Sequence, residues 1–325
     1  MAIHNLPQSL SAVGRLCWAG AMEIVTTAEL LKSGIDHPGI RKLVTSGDLQ
    51  RVRRGVYLRG PDQQLVAEEQ HRALIRAVLC DRPDAVLSHV SAAVVHGLPV
   101  PLRSLGRVHL IRRAKHPGGK RFNHSYLHRV VQEIPTCVIA GLVVTDLATT
   151  VLDLIRVLDP ADAVAVADRA LAKKLQRQVL LDRVAAEAGR RGNAQARQVL
   201  RFADPLAESP GESWARWAFH RAGLPAPRLQ VEFFDDAGNF VARPDFDWPD
   251  LGVSAEFDGE VKYGRLLGPG QDVASVIRAE KDREERFRRA SGRWLVRVVN
   301  RELADVAALR RTVLDAAGYA GRTAG

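Results

Sequence analysis

The run ARPDFDWPDLGVSAEFDGEVKY, Ala242 to Tyr263, takes in the end of one strand-like segment, Phe240 to Phe246, and all of a second, Gly252 to Asp258, separated by Pro249-Asp250. Working outward, a helix from Glu212 to Ala222, a strand from Leu229 to Phe234 and the turn Asp235-Asp236-Ala237-Gly238 precede it. A helix from Val273 to Ser291, stopped by Gly292, then a strand from Trp294 to Val299 and a helix from Glu302 to Ala317 follow it. The order is αβββαβα. Between Glu232 and Glu260 stand nine carboxylates and one arginine, Arg243, in a chain of net charge +10. Strand alternation places Asp245 and Asp247 on one face and Glu256 and Asp258 on one face of the next strand, so four carboxylates are expected to converge. Such crowding costs stability unless a cation binds. An all-oxygen donor set suits Mg²⁺, with Mn²⁺ as a second candidate; either would polarise a phosphodiester and acidify the attacking water.

Pro244-Asp245, ten intervening residues and Glu256-Phe257-Asp258 resemble the signature of the PD-(D/E)xK nuclease superfamily, whose core order is the one above. The resemblance implies a restriction-endonuclease-like α/β fold for residues 206–325. It departs at Asp258, where the pattern has the lysine that orients the nucleophilic water. That duty passes to Lys262, to Lys281 or to no residue, with Lys262 the favoured candidate. The stretches Glu208 to Ser213 (ESPGES), Ala242 to Tyr263 and Glu280 to Val298 are similar to very-short-patch-repair-type endonuclease domains. That likeness implies Glu208 or Glu212 as an acid on the helix, Asp245 and Glu256 as metal ligands, Asp258 as a third or water-linked ligand, and Arg283 reaching phosphate. Repair endonucleases of this type use histidines, but this chain has none after His220, so a histidine-assisted mechanism is not expected.

Residues 16–60 read as three helices and a hairpin. Thr26 or Thr27 caps a helix through Leu31, Gly34 ends it, and the next helix starts near His37-Pro38 and closes at Gly47. Ile40, Leu43 and Val44 form its apolar face, leaving Arg41, Lys42 and Thr45 outward. Arg51, Arg53 and Arg54 lead into a turn at Gly55. This is a winged helix-turn-helix layout, with the second helix directed at a DNA major groove and the arginine hairpin at phosphates. The run ending in RVRRGVY (Arg51 to Tyr57) resembles the N-terminal domain of AbiEi-type abortive-infection antitoxins. The likeness implies a DNA-binding, often autoregulatory, module of a toxin-antitoxin pair, with a cognate toxin as a possible partner.

Residues 61–205 mix helix and strand. Glu68 to Leu79 has helical periodicity, Arg107 to Ile111 and Ser125 to Val131 look like strands, and Thr145 can cap a helix through Ile155. LSHVSAAVVHGLP (Leu87 to Pro99) and GLVVTDLATTVLDLIRVL (Gly141 to Leu158) resemble the domain that follows the winged helix in the same antitoxin group. His89 and His96 can share a helix face, but no third ligand lies at metal-site spacing, which favours structural histidines. Arg107, Arg112, Arg113, Lys115, Lys120, Arg121 and Arg129 form the densest basic run, either an extension of a nucleic-acid footprint or a solvated face.

Charge follows the same division: +4 over residues 1–60, +7 over 61–205 and −1 over 206–325. The basic front suits a polyanion, because each neutralised phosphate releases counterions. Cys17, Cys80 and Cys137 are far apart, which points to reduced thiols rather than disulfides or zinc ligands. No apolar stretch is long enough to span a membrane and no leader pattern opens the chain, so a cytoplasmic location is expected. The sequence therefore predicts a multidomain α+β and α/β protein: a winged helix in 1–60, a mixed α/β segment in 61–205 and the nuclease-like segment in 206–325. Two functions fit, a Mg²⁺-dependent DNA nuclease positioned by the winged helix, or an antitoxin-like regulator with an inactive tail. An adaptor that binds another protein through the middle segment is a third.

Overall fold

The computed structural model describes residues 23–60, 65–259 and 273–323. The chain forms two compact units, Met1–Leu154 and Ile155–Gly325.

The first unit opens with β1 (Glu23–Thr26), α1 (Thr27–Lys32), α2 (His37–Thr45), β2 (Leu49–Arg53) and β3 (Val56–Arg59). Strand order is β1-β3-β2, antiparallel throughout. Of the three helices expected in residues 16–60, two are α1 and α2. Residues 16–22 lie outside the described residues, and Glu23-Ile24-Val25-Thr26, rich in β-branched side chains, pairs with β3 as a strand. Thr26 is the cap of α1: its hydroxyl accepts from the Glu29 N–H, and the Glu29 carboxylate accepts from the Thr26 N–H, a reciprocal capping box. Asp36 caps α2 by accepting from the Gly39 N–H at 2.8 Å.

The sheet has two covered faces. Val25, Leu49 and Tyr57 pack against Leu30 of α1 and Ile40 and Leu43 of α2. Ile24, Val56 and Leu58 pack against Ala73 and Ala77 of α3 (Ala67–Leu79). Two alanines four residues apart let the strands approach α3 closely. The next residues of α3, Ile75, Val78 and Leu79, face a second sheet built from β4 (Val86–Leu87), β5 (Val108–Arg113), β6 (Gly118–Arg121), β7 (Ser125–Val130), β8 (Thr136–Ile139) and β9 (Leu142–Thr145). Its order is β6-β7-β5-β4-β9-β8, with β5/β7 and β4/β9 parallel. α4 (His89–His96) packs on this sheet through Ala92 and Val95, and Gly97 closes it in the left-handed conformation at φ 67°. The cap of α5 (Leu147–Ile155) is Asp146, which accepts from the Thr149 N–H at 2.7 Å; Thr145, the expected cap, ends β9 and is hydrogen-bonded to Thr150 instead.

In the second unit, α6 (Pro160–Ala172), α7 (Arg177–Ala186) and α8 (Asn193–Phe202) lead into α9 (Pro210–Arg221). Then come β10 (Arg228–Leu229), β11 (Phe233–Phe234), β12 (Phe240–Ala242), β13 (Phe246–Trp248), β14 (Val253–Asp258), α10 (Val273–Ser291), β15 (Trp294–Val299) and α11 (Val306–Thr323). A four-stranded sheet of order β10-β13-β14-β15 has β14 and β15 parallel, and β11 and β12 form a separate hairpin. The bounds of α10 and β15 are those expected. The strands expected at 229–234 and 240–246 are each divided between the sheet and the hairpin. In the second the break falls at Arg243-Pro244-Asp245, where proline lacks the N–H a ladder requires.

Phe246, Trp248, Val253 and Ala255 enter a core with Ala215, Ala218 and Phe219 of α9, Val296 and Val298 of β15, and Leu309 and Val313 of α11. Phe219 meets Phe246 and Trp248 edge-on, at centroid distances of 5.1 and 4.9 Å. α6 is joined to α9 by a buried ion pair: Arg216 donates to Asp168 at 2.8 Å, and Asp168 also accepts from the Ser213 hydroxyl and the Asp204 N–H. Burial raises the Asp168 carboxyl, and Arg216 opposes that shift. Asp168→Ala would leave the Arg216 guanidinium buried without its counter-charge, an expected loss of about 3–5 kcal/mol. Urea denaturation followed by tryptophan fluorescence measures it, and a change below about 1 kcal/mol would contradict the pair's structural role.

Candidate functional sites

The winged segment presents its α2 face to solvent: Arg41, Lys42 and Thr45 are exposed, and the Thr45 hydroxyl donates to the Arg41 carbonyl at 3.0 Å. The three hairpin arginines are treated differently. Arg51 lies opposite Tyr57, hence on the sheet face covered by α1 and α2, and is exposed. Between Arg51 and Arg53 the register shifts, so that Arg53 lies opposite Val56, whose side chain faces α3. This β-bulge turns Arg53 to the other side of the sheet. There its Nε and one terminal nitrogen donate to the Ala77 carbonyl at 2.9 and 2.7 Å, and it pairs with Asp81 at 2.7 Å. Arg53, expected to track phosphates with its neighbours, is thus held against the C-terminal end of α3. Arg54 is exposed at the turn before Gly55, which needs its φ of 76°.

The acidic site is assembled around Asp245. Ser209 caps α9 by accepting from the Glu212 N–H, Pro210 fills the first turn, and a Cβ on Gly211 would come within 2.0 Å of the Phe257 ring. That close approach brings Glu212, in the first turn of α9, toward the β13–β14 ladder. Gln230, held at φ 53°, donates to both Glu212 (3.0 Å) and Asp245 (3.2 Å), and the Phe257 N–H donates to the other Asp245 oxygen at 2.8 Å. Both Glu256 oxygens accept from Arg283 of α10, at 3.2 and 2.9 Å. Glu208 is directed outward to Arg243.

Four converging carboxylates were expected, but Asp247 is not among those gathered. It lies opposite Ser254, 1% exposed, accepts from the Ser254 hydroxyl and pairs with Arg293 at 2.6 Å. Asp258 ends β14 with its Oδ1 buried and without a hydrogen-bond partner among the described residues. Lys262 lies outside the described residues, and Lys281 is exposed on α10.

A third cluster was not foreseen. Among the described residues, the one group of three metal-ligating side chains whose ligand atoms lie within 4.8 Å of one another is His89, His109 and His128. His89 begins α4, while His109 and His128 sit on the adjacent parallel strands β5 and β7. His109 Nδ1 and His128 Nε2 are 2.9 Å apart, and the rings of His89 and His128 stack at 3.7 Å. Burial, reinforced by His89 and His109, lowers His128 to about 2; burial, with His71 and Arg107, lowers His109 to about 4. His96, considered above with His89, instead faces the Thr145 carbonyl at 2.8 Å. Spacing along the chain gave no sign of the trio, because its members come from three separate elements.

Residues 19–60 match the family described as "Transcriptional regulator, AbiEi antitoxin". Two relatives from Mycobacterium tuberculosis, uncharacterized proteins MT2308 and Rv2248, are each 38% identical over 121 residues. The match covers 37% of this chain and 44% of each relative, so the chain spans less than half the length of either. The crystal structure of RV2827C protein from the same organism aligns with a TM-score of 0.35 and 16% identity, over 59% of this chain and 74% of that one. The matched N-terminal segment is thus similar to a domain of transcriptional regulators. No helix among the described residues is long and apolar enough to cross a membrane.

Burial is the main force raising the Asp245 carboxyl to about 6, and the Glu212 and Glu256 charges add to it. A raised folded-state value contributes stability that is present below the ordinary 3.8 and lost as pH rises through about 6. Asp245→Asn removes this titration. The variant is expected to melt a few degrees above wild type at pH 8, with the advantage shrinking between pH 6 and 4. Thermal unfolding by circular dichroism across that range checks this, and a variant less stable at pH 8 would contradict it.

Proposed function

We propose that this protein is an AbiEi-like DNA-binding regulator, in which α2 enters the major groove and Arg51 and Arg54 hold flanking phosphates. The observation that carries this reading is the exposed surface of Arg41, Lys42, Thr45, Arg51 and Arg54 on a segment that matches an antitoxin-regulator family. Arg41 and Lys42 are long enough to reach base edges or phosphates from the outer face of α2. Arg53 serves DNA indirectly, by fixing the hairpin to α3. The DNA would be the promoter of its own operon, and a cognate toxin would be the protein partner.

Fluorescence anisotropy on the upstream DNA across a salt series tests the reading. Arg51→Ala and Arg54→Ala are each expected to reduce the slope of log K against log salt by about 0.9. Arg53→Ala is expected to keep the slope and lower the melting temperature of the protein. Binding that ignores salt would overturn the reading.

A second function is favoured by the acidic site. The order α9, β10, β13, β14, α10, β15, α11 and the gathering of Glu212, Asp245 and Glu256 support a restriction-endonuclease-like nuclease domain. These oxygens, with the buried unsatisfied Asp258 Oδ1, fit Mg²⁺ or Mn²⁺ in donor type. Asp245, Glu256 and Asp258 would hold the ion, which when bound polarises a phosphodiester and acidifies water. Glu212 would orient Gln230 and Asp245, and Arg283, which clamps Glu256, would meet a phosphate. Lys262 is the candidate for positioning the water. Incubation of supercoiled and single-stranded DNA with protein and Mg²⁺ or Mn²⁺ tests this, with nicking expected in wild type and lost in Asp245→Ala while promoter binding is kept. Intact DNA across both substrates and both metals would leave the regulator alone standing.

A further inference from the structure

His89, His109 and His128 are separate from both surfaces considered so far. Three half-buried imidazoles whose ligand atoms lie within 4.8 Å of one another need a reason. Each carries two polar ring nitrogens, and polar groups withdrawn this far from water are ordinarily hydrogen-bonded. His71 shows what a satisfied histidine looks like in this unit, with one nitrogen 2.7 Å from the Leu105 carbonyl and the other 3.0 Å from the Ser91 hydroxyl. His109 and His128 instead turn ring nitrogens on each other, 2.9 Å apart, a contact that one N–H can bridge.

We propose that His89, His109 and His128 form a three-histidine site for a divalent transition-metal ion, with Zn²⁺ as its ligand. Imidazole nitrogen is the preferred donor for this class of ion, and three histidines with an open fourth position are an established zinc arrangement. Tetrahedral bonds of about 2.0–2.1 Å place ligand nitrogens about 3.3 Å apart, so the ion can take the place of the proton between His109 and His128 once the His89 ring turns out of its stack on His128 to aim a nitrogen at the same point. His89 Nδ1 lies 3.1 Å from the Ser88 hydroxyl and 3.7 Å from the carboxylate of Asp153, 3% exposed, orienting groups of the kind that metal-binding histidines use. His89 itself is held at φ 47°, an uncommon conformation for a side-chain-bearing residue, at the start of α4. Its backbone is fixed where its ring meets the two strand histidines.

The site joins α4 to β5 and β7, so an ion there would staple three elements of the first unit. The staple continues inward: the Ser91 hydroxyl accepts from the His109 backbone N–H at 2.8 Å and faces His71 of α3.

The test uses the full-length protein, stripped with a chelator, loaded with Zn²⁺, desalted and measured by inductively coupled plasma mass spectrometry. Wild type is expected to retain about one Zn²⁺ per chain and to melt several degrees higher with Zn²⁺ than after stripping. His109→Gln and His128→Gln are expected to lose the bound ion and the thermal shift, while Glu256→Gln, in the acidic site, keeps both. Asp153→Asn leaves all three rings in place and is expected to weaken Zn²⁺ binding about 10–100-fold, which keeps the test decisive if a histidine variant fails to fold. Wild type that retains no Zn²⁺ after loading overturns the proposal. So do folded histidine variants that retain as much as wild type, or an Asp153→Asn protein that binds as tightly.

Discussion

The first unit depends on what Arg53 does at the end of α3. Two of its nitrogens donate to one carbonyl, that of Ala77, in the last turn of the helix, where the backbone dipole favours a cation. Asp81 balances the charge from the exposed side. The contact exists because one extra residue in β2 shifts the register and moves a side chain from one face of the sheet to the other. A regular strand would leave Arg53 beside Arg51, and the hairpin would meet α3 through hydrophobic contacts alone.

α3 then works in two directions. Ala73 and Ala77 receive Ile24, Val56 and Leu58 of the three-stranded sheet, while Ile75, Val78 and Leu79 close the core of the six-stranded one. His71, buried in the same helix, faces Ser91, which supports the strand that carries His109. The wing and the histidine cluster are therefore parts of one packed body rather than two modules on a string. In the second unit the equivalent tie is the Asp168–Arg216 pair, which brings α6 against α9 and so supports the turn that presents Glu212.

Much of this was legible in the sequence where local chemistry decides the outcome. Gly292 and the charged periodicity of 273–291 delimit α10, and the apolar run 294–299 delimits β15. Thr26, Gly34 and Gly47 mark the ends of helices in the winged segment for the same reason. Strand alternation separates Phe246 and Ala255, which enter the core, from their neighbours Asp247 and Glu256. What escaped depends on tertiary partners. The bulge at Val52-Arg53 has no sequence signal as clear as a glycine, so the three arginines looked alike. Asp247 has the same sequence setting as Asp245, and only Arg293 and Ser254, brought beside it by the fold, set it apart. The histidine trio needs β5 and β7 to be neighbours and α4 to start beside them, a fact about topology that no spacing encodes.

The double-sided packing of α3 has a consequence for how small a working piece of this protein can be. Residues 23–60 supply both helices and the hairpin of the winged segment, yet Ile24, Val56 and Leu58 on the far side of its sheet are covered only when α3 is present. A fragment cut after the hairpin would expose that apolar stripe and leave Arg53 without its anchor. It would also be shorter than most chains that fold unaided. The shortest autonomous piece must continue through α3. Because α3 itself needs the six-stranded sheet to bury Ile75 and Leu79, that piece grows to include most of the first unit.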